Sequence, residues 1–370
     1  MQYPMPQKEI LECIWKGTVI PASPLALNGR RRFDPRRQAA LMRYYCAAGA
    51  GGVAVAVHTT QFAIRKPEFN LTGSPNNAMH NSGCLLESVL STCAEAIDAC
   101  SRNAMRPVVK IAGIVGRTPQ ALREAELAVS YGYHAGLLSL SAFRDGTVDE
   151  MIDHANAVSE VIPLFGFYLQ PSVGGRILPL VFWRQFVRIP NVVAIKIAPF
   201  NRYHTLDVVR AVAEECRENE IALYTGNDDA IILDLITPHR FADGVGEKVL
   251  RIRGGLLGQW AVGTKHAVEL LDAIHSLMES GGDIPQNLLI RNVELTDINA
   301  ALFDVAHQFA GVIPGIHEIL RRQGLLEGTW TLDPEERLSP GQLEEIDRVY
   351  RAYPRLFDDE FVRDHAHEWL

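Results

Sequence analysis

The segment Val192-Val193-Ala194-Ile195-Lys196-Ile197-Ala198 carries the clearest indication of the fold. It is short and almost entirely apolar, which is typical of a strand buried on both faces of a parallel sheet covered by helices. Side chains alternate across a strand, so Ile195 and Ile197 face one side and Lys196 faces the other. The lysine therefore points to the interior, between small alanine neighbours that leave room for its long side chain.

Similar apolar runs recur along the chain, and the segments that separate them have helical character. Residues 119–131, for example, are apolar on one side and begin with a proline after Thr118, a plausible N-cap. Repeated strand and helix units predict parallel strands with crossover connections. Eight units, with no glycine-rich fingerprint after the first strand, favour an α/β fold of the (β/α)8 TIM-barrel type. The predicted strands are 19–22, 52–57, 108–112, 136–140, 164–169, 192–197, 221–225 and, less clearly, 254–258.

The 370 residues fit one barrel with additions. We expect residues 1–280 to form the catalytic barrel and residues 286–370 a C-terminal α-helical domain. Its main helices are predicted at 288–302, 305–323 and 341–356. A polar insertion of about residues 62–85 follows the second strand. In a barrel this loop lies on the catalytic face, so we expect it to shape the substrate entrance.

Composition excludes several classes of function. The net charge of −8 argues against nucleic acid as the main partner, and Arg30, Arg31 and Arg32 are interpreted as a solvated loop or an anion patch. No apolar run is long enough to span a membrane, and the N-terminus lacks the pattern of a secretory signal. The six cysteines contain no C-x-x-C pair, which predicts reduced thiols in a cytoplasmic protein.

Lysine is scarce in this sequence, and two lysines lie inside predicted strands, Lys110 and Lys196. Burial disfavours the ammonium form and lowers the pKa of a lysine. A neutral amine is the form that attacks a carbonyl to give a Schiff base. The alternative is a structural lysine that pairs with a barrel carboxylate such as Asp228, and Lys110 stays open as a second candidate nucleophile.

Two further segments supply candidate partners for the amine. Leu164, Gly166 and Tyr168 share a face of the fifth strand, and if that face is inward Tyr168 lies beside Lys196 and can shuttle protons. The alternative is a core tyrosine whose hydroxyl hydrogen-bonds a backbone carbonyl. Thr59 and Thr60 follow the second strand, where hydroxyl and backbone N–H groups can bind a carboxylate. His58 has no second histidine at metal-ligand spacing, so we predict no metal site.

Together these segments resemble the dihydrodipicolinate synthase/N-acetylneuraminate lyase family of class I aldolases. Tyr168-Leu169-Gln170-Pro171-Ser172-Val173-Gly174-Gly175 resembles its Tyr-Asn-x-Pro-x-x-x-Gly segment, and Ala194-Ile195-Lys196 resembles its Gly-x-Lys segment. The step from Tyr168 to Lys196 is 196 − 168 = 28 residues, as in the family. His58-Thr59-Thr60-Gln61 is similar to its Gly-Thr-Thr-Gly-Glu turn, and Gly226-Asn227-Asp228 to its Gly-Asp-Asp turn.

The resemblance implies a role for each matched residue. Lys196 would form the Schiff base, Tyr168 would transfer protons, and Thr59 would relay them. Thr59 and Thr60 would hold the carboxylate of the keto acid, and Gly226 and Asn227 would line the pocket. The family needs no cofactor, acts on a small 2-keto acid, and forms dimers or tetramers, so we expect a homo-oligomer.

The sequence also departs from this family. Val173 stands where the synthases have an arginine that binds the carboxylate of the second substrate, and the stretch 141–144 lacks their relay tyrosine. We therefore predict a Schiff-base-forming lyase or aldolase acting on pyruvate or another 2-keto acid through Lys196. A 2-keto acid dehydratase of the same family and a non-catalytic keto-acid-binding barrel are the alternatives.

Overall fold

The computed structural model describes residues 5–66, 84–242 and 246–370. Eight parallel strands form one sheet in the order β1-β10-β7-β6-β5-β4-β3-β2. A parallel bridge between Ala22 and Ala54, with Ser23 N–H donating to Ala54 O at 2.8 Å, joins the two ends of this sheet and closes the barrel. The strands of the barrel are β1 (Val19–Pro21), β2 (Gly52–Val55), β3 (Val109–Ile114), β4 (Ala135–Leu138), β5 (Leu164–Tyr168), β6 (Val192–Ile197), β7 (Ala222–Thr225) and β10 (Gly254–Leu257).

Helices follow the barrel strands and cover the outside of the sheet. An additional helix precedes the barrel, four follow it, and an antiparallel hairpin of β8 (His239–Ala242) and β9 (Glu247–Leu250) precedes β10. The helices are α1 (Lys8–Lys16), α2 (Pro35–Ala47), α3 (Leu86–Ala104), α4 (Thr118–Ser130), α5 (Val148–Ser159), α6 (Leu180–Phe186), α7 (Arg202–Glu214), α8 (Ile231–Ile236), α9 (Thr264–Ser280), α10 (Gln286–Leu302), α11 (Val312–Arg322), α12 (Gln342–Ala352) and α13 (Asp359–Trp369).

The structure confirms the predicted TIM barrel and all eight of its strands, with β6 at the predicted bounds. Several predicted strands are longer than the observed ones, because the chain leaves the sheet before its apolar residues end. This occurs at Ala56, which has φ 60°. The hairpin β8–β9 was not predicted, since it is largely exposed and its sequence is polar. Thr118 is not an N-cap but the first helical residue of α4, and its hydroxyl contacts His154 Nδ1 at 2.9 Å.

The C-terminal helices differ from the prediction in one respect. A single helix over 305–323 is wrong, because the chain adopts left-handed backbone at Asp304, Gln308 and Phe309 before α11 begins at Val312. Of the predicted insertion, Phe62–Arg65 forms one 3-10 turn, and residues 67–83 lie outside the described residues. Its role at the substrate entrance stays a prediction.

All six cysteines are free thiols, and no helix in the described ranges is long and apolar enough to cross a membrane.

Helix α1 closes one end of the barrel. Ile14 is completely buried and belongs to the interior apolar cluster, together with Phe165 of β5 and Tyr224 of β7. The Tyr224 hydroxyl donates to Ile14 O at 2.8 Å, and the Trp15 indole N–H donates to Glu220 O at 2.9 Å. Apolar packing and two hydrogen bonds thus fix α1 against the strands.

We expect Ile14→Ala to lower the free energy of unfolding by about 2–4 kcal/mol, because it leaves a cavity at the closed end of the barrel. Chemical denaturation followed by circular dichroism measures the change. The matched control is Glu9→Ala, an exposed position of the same helix, which should change stability by about 0.5 kcal/mol or less. An equal effect of both variants would contradict the closing role of α1.

Candidate active site

Lys196 lies on β6 and points into the barrel. Its register partner on β5 is Phe167, and the Nζ atom lies 4.7 Å from the centroid of the Phe167 ring. Ala194 and Ala198, on the same face, belong to the interior apolar cluster. A Cβ atom on Gly226 would come within 2.6 Å of Lys196 Cε, so the glycine leaves the space that the lysine occupies. The prediction that Lys196 points inward therefore agrees with the structure.

Lys196 and Asp228 form the charged part of the site. Burial lowers the pKa of Lys196 to about 8, and the charge of Asp228 opposes this shift. Burial raises the pKa of Asp228 to about 7, opposed by the charge of Lys196. Within the described ranges no ion pair or hydrogen bond joins the two side chains, and Asp228 Oδ1 has no hydrogen-bond partner. The pair therefore holds an amine that loses its proton closer to neutral pH than a free lysine does, beside a carboxyl group that readily takes up a proton.

Tyr168 is not where the sequence interpretation placed it. Its hydroxyl accepts a hydrogen bond from Leu178 N–H at 3.1 Å, and its ring contacts Trp183 and His204 at centroid distances of 5.4 and 5.7 Å. These contacts lie on the helix side of the sheet. Alternation correctly groups Leu164, Gly166 and Tyr168 on one face, but that face is the outer one.

The inward residues of this stretch are Phe165, Phe167 and Leu169, which carry no hydroxyl group. The pairing of β5 with β6 shifts between Leu164 and Phe165. Equal sequence spacing between tyrosine and lysine therefore does not place the two side chains on one face. This geometry does not place Tyr168 for proton transfer to Lys196. Tyr168 is a core tyrosine, as in the alternative, but its hydroxyl bonds a backbone N–H and not a carbonyl.

The two threonines differ in position. Thr59 lines the cavity above Lys196, and its hydroxyl contacts Ala22 O at 2.9 Å and Ser23 O at 3.1 Å. Thr60 is fully buried, donates to Ser23 O at 2.6 Å, and is not among the lining residues that the structure describes. Both hydroxyls therefore hold the β2 turn against the β1 turn.

Gly226 and Asn227 also differ in their position relative to the cavity. Gly226 lines the cavity, whereas Asn227 is fully buried behind it. The Asn227 amide donates to Asp234 at 2.9 Å and accepts from Phe200 N–H at 3.0 Å, so it holds the turn that presents Asp228. Asn227 supports the site and does not face the cavity, contrary to the implied pocket-lining role.

Lys110 is not an alternative nucleophile. Its amine lies on the helix side of β3 and forms an ion pair with Asp98, with Nζ–Oδ distances of 2.7 and 2.8 Å. His58, in contrast, lines the cavity with Lys196. Burial, and secondarily the charge of Lys196, lowers the pKa of His58 to about 4, so the imidazole is neutral near pH 7 and can accept a proton or hydrogen bond.

The cavity opens to solvent, and the space within it and at its mouth amounts to about 630 Å³. Its walls come from the barrel and from the segment between α10 and α11, which the sequence interpretation missed. The lining residues are Ala22, Val57, His58, Thr59, Phe167, Leu169, Gln170, Val173, Lys196, Ala198, Phe200, Gly226, Asp228, Gly258, Phe303, Phe309, Val312 and Ile316.

The loop between α10 and α11 is held in a specific shape. Buried Asp304 accepts a hydrogen bond from Gly311 N–H at 3.0 Å and contacts His307 Nδ1 at 2.6 Å. Left-handed backbone costs non-glycine residues about 1 kcal/mol or more each, and here Asp304 and Phe309 both adopt it. The surrounding contacts offset this cost and fix Phe309 at the cavity. A sequence signal existed: Val312, Ile313, Ile316, Ile319 and Leu320 recur at helical spacing in α11, which is typical of a helix with one buried face.

Solved structures with similar folds were then compared. Dihydrodipicolinate synthase from Acinetobacter baumannii, complexed with pyruvate, superposes with a TM-score of 0.68 at 16% identity, covering 90% of this chain and 98% of that one. YagE, a prophage protein of the same family from E. coli K12, also with pyruvate, gives 0.69 at 15% identity over 92% and 98%. CdNal from Clostridium difficile, with mannosamine, gives 0.67 at 12% over 91% and 99%.

The chain has the fold of these proteins. No family model and no curated protein matches the sequence itself. The resemblance of the segments that contain Lys196 and Thr59–Thr60 predicted this shared fold. The similarity extends over the C-terminal helices, since at least nine-tenths of this chain is covered in each comparison.

We expect Asp228→Asn to lower the pKa of Lys196 further below about 8, because the carboxylate charge that favours the ammonium form is lost. The rate of Lys196 acetylation as a function of pH, followed by peptide mass mapping, measures this pKa. Asp229→Asn is the matched control, and it should leave the Lys196 profile in place. A rise of the Lys196 pKa in Asp228→Asn would contradict the proposed coupling.

Proposed function

We propose that this chain is a Schiff-base-forming lyase or aldolase that acts on pyruvate or another 2-keto acid through Lys196. The observation that carries the proposal is the position of the Lys196 amine, inside the barrel at an open cavity, with its pKa lowered by burial. Catalytic residues of TIM-barrel enzymes come from the carboxyl ends of the strands, and Lys196 is the penultimate residue of β6. Two proteins of the same fold were solved with pyruvate, which supports this substrate class.

The proposed reaction begins with attack of the neutral Lys196 amine on the C2 carbonyl carbon of the keto acid. The carbinolamine then loses water, and the C2–N bond becomes a protonated imine. The imine accepts an electron pair when a proton or a carbon substituent leaves C3. The resulting enamine takes up a proton or a carbon electrophile at C3 and becomes an imine again, and hydrolysis of this imine releases the product and restores the amine. A dehydratase would share the imine and instead expel a hydroxyl group from the carbon next to C3.

Proton transfer in this scheme falls to Asp228 rather than Tyr168. Loss of water from the carbinolamine requires an acid near the amine, and a carboxyl group with a pKa near 7 can give and regain a proton at neutral pH. Asp228 lines the cavity with Lys196, and its Oδ1 atom has no hydrogen-bond partner in the described part of the chain. When the imine is hydrolysed, the Asp228 carboxylate takes a proton back from the attacking water, which restores the acid.

We place the substrate carboxylate at the turn His58–Thr60, because Thr59 lines the cavity and His58 is close enough to Lys196 for the lysine charge to lower its pKa. The barrel of residues 1–280 would act as the catalytic domain, and the helices of 286–370 would complete the cavity. A homo-oligomer in the cytoplasm, without a cofactor, remains part of this proposal. The outward position of Tyr168 favours one other candidate, a barrel that binds 2-keto acids without turning them over.

Borohydride reduction in the presence of pyruvate tests the Schiff base. We expect a covalent adduct on the peptide that contains Lys196, and no adduct in Lys196→Ala. Lys110→Ala is the matched control and should retain the adduct, because Lys110 is ion-paired on the outer face. Peptide mass mapping identifies the modified residue. Labelling of another lysine, or none at all, would refute the proposed nucleophile.

The proton-transfer assignment has its own test. Tyr168→Phe should keep the trapping rate within about threefold, since its hydroxyl bonds the backbone on the helix side. Asp228→Asn should slow trapping by about 100-fold or more, in the range of general acid–base catalysis. Circular dichroism establishes that both variants fold. If Tyr168→Phe slowed trapping and Asp228→Asn did not, proton transfer would belong to Tyr168, and this assignment would be overturned.

A further inference from the structure

The cavity has one polar region and one extended apolar wall. Asp228 and His58 are electrostatically linked to the Lys196 amine, and Thr59 and Gln170 are the other polar lining residues. The wall contributed by the segment after α10 is entirely apolar where it lines the cavity, with Phe303 and Phe309 as its largest side chains. A ligand that condenses with Lys196 therefore extends from a polar region toward aromatic rings.

Aromatic side chains of the C-terminal segment contact the barrel loops at the cavity. The rings of Phe200 and Phe309 pack edge to face, with centroids 5.8 Å apart. A Cβ atom on Gly258 would lie 3.4 Å from both Phe303 Cζ and Ile316 Cδ1. The apolar end of the cavity thus combines residues of the barrel loops with residues of the C-terminal segment.

This wall excludes strongly polar ligand tails. Each hydroxyl group of a sugar acid needs a hydrogen-bond partner once it is removed from water, and phenyl and aliphatic side chains provide none. A second carboxylate needs a cation, and among the described lining residues Lys196, the Schiff-base amine, is the only cationic side chain. Val173, which lines the cavity, extends the apolar surface from the β5 side.

We propose that the cavity selects 2-keto acids whose tail beyond C3 is apolar, either aryl or branched alkyl, over polyhydroxylated and dicarboxylic ones. This inference rests on the proposed function, because Lys196 fixes the keto end and the Phe303–Phe309 wall receives the tail. Burial of the tail against the rings provides the binding free energy, as is usual for mostly apolar small-molecule sites.

A panel of four acids tests the selectivity by the concentration that half-saturates borohydride trapping at Lys196. Phenylpyruvate and 4-methyl-2-oxopentanoate should saturate at concentrations about tenfold or more below those of 2-oxoglutarate and 2-keto-3-deoxygluconate. Equal or tighter saturation by either polar acid would overturn the selectivity while leaving the Schiff base intact. If no acid is trapped, the proposed function fails, and calorimetric binding of the same four acids still decides the selectivity.

Variants test whether the Phe303–Phe309 wall determines the selectivity. Phe309→Ala should raise the half-saturating concentration of phenylpyruvate about tenfold or more and change that of pyruvate less than about threefold. Phe241→Ala, which removes a phenyl group from the hairpin outside the cavity, is the matched control and should change neither. Equal effects on phenylpyruvate and pyruvate would overturn the assignment.

A second variant keeps the test decisive if Phe309→Ala does not fold. Val173→Arg introduces a cation at the β5 side of the cavity and should improve half-saturation by 2-oxoglutarate about tenfold relative to phenylpyruvate. No change in this ratio would show that the tail does not reach the wall and would overturn the inference.

Discussion

An amine that is buried in an apolar barrel loses its hydration, and this loss controls the site described above. Lys196 is surrounded by alanine, glycine and the Phe167 ring, and no ion pair within the described ranges compensates its charge. Asp228 is buried in the same part of the barrel, and its burial raises its pKa, which favours the protonated form. The two shifts have one physical cause, desolvation, and together they bring the pKa of both groups closer to neutral pH. The other cavity residues shape the space around this pair.

The strand pattern shows where sequence reasoning succeeds. The apolar run 192–197 predicts β6 at its observed bounds, and alternation correctly sends Lys196 inward, because isoleucines on the opposite face require the helix layer. The same reasoning groups the residues of β5 correctly but assigns the wrong face to Tyr168. Every residue of β5 is apolar or aromatic, so hydrophobicity does not distinguish the two faces of that strand. The pairing shift at Leu164 is a property of the sheet and leaves no mark in the local sequence.

The missed residues have a different origin. Phe303 and Phe309 lie more than 100 positions after Lys196 in the sequence, in a segment whose backbone is left-handed at non-glycine positions. No periodicity predicts such a loop, because its shape depends on Asp304 and its hydrogen bonds with Gly311 and the Ser339 hydroxyl. These are tertiary contacts between distant parts of the chain. The fold and the inward position of Lys196 were therefore accessible from the sequence, whereas the far wall of the cavity was not.

The two halves of the cavity are supplied by separate parts of the protein. Lys196 and Asp228 belong to the barrel strands and their turns, while the aromatic end belongs largely to one connecting loop after α10. Substitutions in that loop can alter which molecules are accepted without disturbing the barrel interior. Evolution, or a protein engineer, can thus diversify ligand choice on this scaffold through a few residues near 303–309 while the covalent chemistry stays constant.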